Sequence, residues 1–201
     1  MRGATGRDSI RANSGMLERM FAPWIFRSVS KYSDGQVGTY IHNLEEILKK
    51  RSYDSYKPLL LAHQTLRTII GENLQRMGWQ VKYERLYADF DISHEFDIMA
   101  RKRNKTVIVE VKPELTTKIL DEALPYLSSV EPKIKDSRVL LGTDILNLDL
   151  IRHDKAILQI LNGYAKKHRI GIFLADTKGA WLLPDEFIRI LYGSKEEAVA
   201  A

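Results

Sequence analysis

The stretch that decides the fold is Glu95-Phe96-Asp97-Ile98-Met99-Ala100, a short basic break at Lys102-Arg103-Asn104-Lys105, then Val107-Ile108-Val109-Glu110-Val111-Lys112. Two strands alternate about a turn centred on Arg103-Asn104. In that register Ala100 faces Val107, Ile98 faces Val109 and Phe96 faces Val111. These apolar pairs share one face, as a core-facing hairpin requires. The other face sets Met99 against Ile108, Asp97 against Glu110 and Glu95 against Lys112. Residues 107–111 are apolar at all but one position, so this strand should be buried on both faces.

A carboxylate in such a strand needs compensation, because burying an unpaired charge is expensive. Directly opposed like charges also destabilise a strand pair. Two remedies are open. Glu110 can pair with Lys112, two residues on along the same face, or a hard divalent cation can bridge Asp97 and Glu110.

Working outward, residues 59–77 place Leu66, Ile69, Ile70, Leu74 and Met77 along one side of a helix, with Gly78 as its stop. Trp79, Val81 and Tyr83 alternate as a strand. After the hairpin, residues 114–128 read as a helix that Pro125 bends or ends. Val139-Leu140-Leu141 reads as a buried strand. Residues 150–165 read as one amphipathic helix, residues 170–175 as a strand, and Thr177-Lys178-Gly179 as the turn back to Trp181-Leu182-Leu183. Pro184-Asp185 opens a short helix to Tyr192. The order predicts an α/β fold: a mixed sheet flanked by helices. We expect a basic N-terminal arm and helical extension over 1–57, the α/β core over 58–194 and a loose tail over 195–201. Residues 16–29 hold Met16, Leu17, Met20, Phe21, Trp24, Ile25, Phe26 and Val29, a candidate amphipathic helix and dimer contact.

The chain has 201 residues, 44% hydrophobic and 28% charged, which suits one folded domain and excludes extended disorder. It has no cysteine, which excludes disulfides, thiolate metal sites and thiol catalysis. Apolar stretches such as Leu59-Leu60-Leu61-Ala62 are too short to span a bilayer, and Met1-Arg2-Gly3-Ala4 does not open a signal peptide. The expectation is a soluble, cytoplasmic protein without membrane partners. No Walker or Gly-x-Gly-x-x-Gly loop is present. The net charge of +5 sits mostly in the first 31 residues, with Arg2, Arg7, Arg11, Arg19, Arg27 and Lys31. Arg101, Lys102, Arg103 and Lys105 form a second cluster. Such clusters attract polyanions or simply keep a turn soluble.

Asp97 followed by Glu110-Val111-Lys112 resembles the signature of the PD-(D/E)xK nuclease superfamily. Gly71-Glu72-Asn73-Leu74 and Gly78-Trp79 resemble the helix that precedes it in archaeal Holliday-junction resolvases. The likeness covers residues 59–128. Phe96 stands where the motif's proline would be, and Glu122-x-x-x-Tyr126 replaces the Gln-x-x-x-Tyr of exonuclease-like branches. The resemblance implies a restriction-endonuclease-like fold and a metal-dependent endonuclease that hydrolyses DNA phosphodiesters, with branched DNA as a candidate substrate form. Asp97, Glu110 and the Val111 carbonyl would hold Mg²⁺ or Mn²⁺. Lys112 would orient water or steady the phosphate, and Glu72 would assist. Arg101, Lys102, Arg103 and Lys105 would grip DNA, and the protein would be a homodimer. The rival readings are a non-catalytic DNA-binding protein on the same fold and an intracellular interaction domain.

Overall fold

The computed structural model describes residues 34–53, 60–87, 92–130, 134 and 136–200. Six strands form one sheet in the order of their sequence: β1 (Gln80–Tyr87), β2 (Ile92–Lys102), β3 (Lys105–Val111), β4 (Ser137–Asp144), β5 (Gly171–Asp176) and β6 (Gly179–Leu183). The central trio β3, β4 and β5 is parallel, and the other neighbours are antiparallel. The chain is therefore α/β with an open mixed sheet. Among the described residues six α-helices accompany it: α1 (Asp34–Tyr53), α2 (His63–Arg76), α3 (Thr117–Val130), α4 (Leu148–His153), α5 (Lys155–His168) and α6 (Asp185–Ala200).

The helices divide unequally between the two faces. On one face α2 alone seats Leu66, Ile70 and Leu74 on Ile98, Ala100, Val107 and Val109. Gly142 of β4 makes this close approach possible, since a Cβ there would lie 2.6 Å from Ile70 Cδ1. On the other face α1, α3, α4, α5 and α6 bury a larger core on Met99, Ile108, Val139 and Leu141. Residues 107–111 are buried throughout, as expected of a strand covered on both sides. The crossovers from β3 to β4 and from β4 to β5 lie on the same face, as two parallel connections of one hand require.

The hairpin adopts the expected register: Ala100 opposes Val107, Met99 opposes Ile108 and Ile98 opposes Val109. The ladder stops there. Phe96 is not on the face of Ile98 and Ala100. It joins the opposite core with Met99 and Ile108, its ring 5.6 Å from that of Tyr126. The pairing with β3 ends at Ile98, while β1 still holds β2 in register through Phe96.

Three other boundaries differ from expectation. Residues 150–165 are two helices, because the Asp154 side chain accepts from Ala156 N and Ile157 N and starts a new helix. Helix α6 continues through Ala200 instead of stopping near Tyr192. Helix α1, expected as part of an extension, puts Val37, Tyr40, Ile41, Leu44 and Leu48 into the main core. The Tyr40 hydroxyl also donates to Leu182 O of edge strand β6 at 2.6 Å. The amphipathic stretch 16–29 lies outside the described residues, as does the rest of the basic arm. Among the described residues no helix is long and apolar enough to cross a membrane.

Candidate active site

The C-terminal ends of β3, β4 and β5 and the start of β2 lie along one end of the sheet. This end collects carboxylates. Asp97 reaches across the gap where the β2–β3 ladder stops, and its Oδ2 accepts from Val111 N at 2.7 Å. Its Oδ1 lies 3.0 Å from Nε2 of His63, the first residue of α2. Glu110 lies beyond that gap, on the last turn of the pleat before Lys112. Its Oε1 accepts from Lys112 Nζ at 2.9 Å, and its side chain is 8% exposed. Among the described residues its Oε2 has no hydrogen-bond partner.

Tyr126 of α3 completes this neighbourhood. Burial, and then the charge of Glu110, push its phenol well above the ordinary tyrosine range. The ring is partly buried and lies 5.6 Å from that of Phe96.

The loop after β3 is held firmly. Lys112 N donates to Gly142 O at 2.8 Å. Asn147 Nδ2 donates to Pro113 O at 2.7 Å, and its Oδ1 accepts from Leu115 N at 3.4 Å. Lys112 therefore leaves a fixed backbone, with its ammonium at the partly exposed rim.

A second buried carboxylate gives the comparison. Asp144, at the end of β4, is 0% exposed. It takes both guanidinium nitrogens of Arg51, with Nη2–Oδ2 at 2.9 Å, together with Leu61 N at 2.7 Å and Leu146 N at 2.9 Å. Both its oxygens are occupied, as is usual for a buried charge. Glu110 has one oxygen that is not. That orphaned atom fits a cation, and Mg²⁺ commonly takes one or two carboxylates and keeps its remaining waters.

The sequence-expected residues are only partly brought together. Asp97, Glu110, Val111 and Lys112 converge. Glu72 is exposed on α2, 3.6 Å from Arg76, and its charge acts on Tyr83 of β1, two strands from Glu110. Arg101, Lys102, Arg103 and Lys105 sit at the opposite end of the hairpin, about 17–20 Å along β3 from Glu110. Lys102 has a local partner, donating to Met77 O at the C-terminus of α2 at 2.6 Å. The side chain of Glu95, expected near Lys112, lies outside the described residues. His63 and Tyr126 are the additions. His63 has no ligand spacing in sequence, and Tyr126 entered only through its spacing from Glu122. Among the described residues no group of three or more His, Asp or Glu side chains is placed to hold a metal ion.

Comparison with known proteins returned no matching family model, no matching curated protein and no matching solved structure.

Proposed function

We propose that this chain is a metal-dependent nuclease that hydrolyses DNA phosphodiester bonds on a restriction-endonuclease-like sheet. The observation that carries this reading is Glu110: nine-tenths buried, half-paired with Lys112, and with Oε2 left without a partner among the described residues, beside the break spanned by Asp97. The order of helix, three antiparallel strands and helix supports it, since the resemblance over 59–128 rests on a helix, a strand, Asp97, a hairpin, Glu110-Val111-Lys112 and a helix in that order.

Asp97, Glu110 and the Val111 carbonyl would hold Mg²⁺ or Mn²⁺, which when bound screens phosphate charge and lowers the pKa of a bound water. The protein's own part is positional. Asp97 is fixed from two sides, by Val111 N and by His63. Lys112 presents its ammonium at the rim, where it can reach a phosphate oxygen. Glu72 remains a candidate at longer range. A cytoplasmic homodimer cutting both strands, with branched DNA as one substrate form, goes with this reading.

The second reading is a DNA-binding protein without catalysis. It is favoured by the lack, among the described residues, of a three-member ligand group, and by Lys112 offsetting Glu110.

One panel separates the two: linear duplex, single strand, flap and four-way junction DNA, each in EDTA, Mg²⁺ or Mn²⁺. Wild type is compared with Glu110→Gln and Lys112→Ala. Metal-dependent cutting that both substitutions abolish is the expected result. Equal DNA binding by all three proteins with no cutting would leave the binding reading.

A further inference from the structure

The end of the sheet opposite the carboxylates has the reverse character. There the β2–β3 hairpin tip, the start of β4 and the junction from α5 to β5 lie side by side. Thr106 N donates to Asp136 O, Thr106 opposes Ser137, and Leu140 opposes Gly171. Arg103, Lys105, Arg138, Lys166, Lys167 and Arg169 thus share one end. Neighbouring strands are about 4.8 Å apart, so the row spans about 10–15 Å. The described carboxylates at this end are Asp136, which accepts from Asn104 at 3.3 Å, and Asp185, 3.6 Å from Arg189. His168 adds no charge at neutral pH, because burial and then Lys167 lower its pKa.

A second observation is independent of charge. Among the described residues three non-glycines have positive φ: Arg103 at 57°, Asp136 at 54° and Arg169 at 52°. All three lie at this end, one in each of three adjacent connections. Arg103 fills the first central position of a two-residue hairpin turn, where glycine is favoured. Arg169 fills the left-handed position after α5, again a glycine position. Each holds a side-chain-bearing residue in a backbone region that such residues rarely adopt. Strain kept at exposed arginines points to a use for the side chains.

We infer that this end of the sheet is a docking surface for a nucleic-acid backbone, separate from the carboxylate end. A duplex carries about one charge per 1.7 Å of axis, so the row faces several phosphates at once. The described residues favour a nucleic acid over a membrane. Their exposed large apolar side chains are Leu60 and Leu150, and both lie on the connections at the carboxylate end, so the described residues offer no large exposed apolar side chain at the basic end for insertion.

The test uses the full chain in EDTA, where cutting plays no part. Anisotropy of a short labelled duplex is followed over a salt series for Arg103→Gly/Arg169→Gly and for Lys118→Gln/Lys178→Gln. Both doubles lose two positive charges, but the second pair lies at the carboxylate end. The arginine double should melt at the same or a higher temperature, bind at least tenfold more weakly, and flatten the salt slope by about two. The lysine double should change binding much less. Equal weakening by both doubles would show an effect of net charge alone and overturn the inference. So would an arginine double that binds DNA like wild type but loses affinity for phosphatidylserine vesicles, which would give the surface to lipid. A protein that passes this test and cuts nothing would sink the nuclease reading without touching this one.

Discussion

Val111 N donates to Asp97 Oδ2 at 2.7 Å, so a side chain stands where the next rung of the hairpin ladder would be. Val111 is fully buried, and its N–H has no access to water. Removing the acceptor should cost about 1–3 kcal/mol, the usual penalty for a stranded buried donor. Asp97→Ala should therefore lower the urea midpoint clearly. Asp97→Asn keeps an oxygen for Val111 and should cost less than half as much, while still abolishing cleavage. An Asn variant as unstable as the Ala variant would show that charge, rather than hydrogen-bond geometry, holds the break.

The hairpin was legible because a period of two and a two-residue turn leave one register that puts apolar pairs together. What happens past Ile98 was not legible. Alternation extrapolates Phe96 onto the face of Ile98, but the Asp97 carboxylate stands in for a backbone rung there and Phe96 joins the opposite core. His63 and Asp97 are 34 positions apart, and they meet only because α2 starts above the first half of β2. Tyr126 feels the charge of Glu110 because α3 returns across the sheet, which no spacing encodes. The division at Asp154 was readable in principle, since an Asp followed by helix formers is a capping signal. It was masked by apolar periodicity that runs on in phase from Leu150 to Leu161. The basic hairpin tip looked close to the acidic pair in sequence because a hairpin's ends are near in number and far in space.

Glu110→Gln tests the orphaned oxygen without activity. A ligand that binds only the folded state at ten times its Kd stabilises by about 1.4 kcal/mol. For a chain of this size that is about 3–6 °C in Tm. Wild type should gain this in excess Mg²⁺, and Glu110→Gln should gain nothing. In EDTA the variant should be as stable as wild type or more so, since a half-paired buried charge is gone. A Tm rise of equal size in both proteins would place the cation elsewhere.

Tyr126 gives an alkaline signature. Its pKa in the folded chain is raised, by burial first and by Glu110 second. The unfolded chain titrates near the ordinary value of about 10. Above that pH the unfolded state releases a proton the folded state retains, so stability falls as pH rises. Tyr126→Phe removes this contribution. Its urea midpoint should fall less than that of wild type between about pH 9 and 11, with the two proteins parallel below pH 9. Glu110→Gln removes the second cause only, and should lie between them. Superimposable profiles for Tyr126→Phe and wild type would mean that the phenol is as free to ionise folded as unfolded.

Asp144 is the anchor behind His63. It binds Arg51 of α1 through two contacts and also accepts from Leu61 N, two residues before His63. Arg51 is also 3.4 Å from Asp176, so removing Asp144 takes the nearer of two carboxylates from a nearly buried guanidinium. Breaking a buried pair from one side costs about 3–5 kcal/mol. Asp144→Ala should lose that much stability, and amide exchange at Leu61 should quicken. Because the entry to α2 is then untethered, His63 should also hold Asp97 less well. Cleavage should fall at saturating substrate even where the variant is fully folded. Asp144→Asn, which can still accept from Leu61 N, should recover the slow exchange at Leu61 and most of the rate, but not the full stability. If Asp144→Ala exchanged Leu61 as slowly as wild type, the tether from α1 to the site would carry no weight, and His63 would be placed by the packing of Leu66 and Ile70 alone.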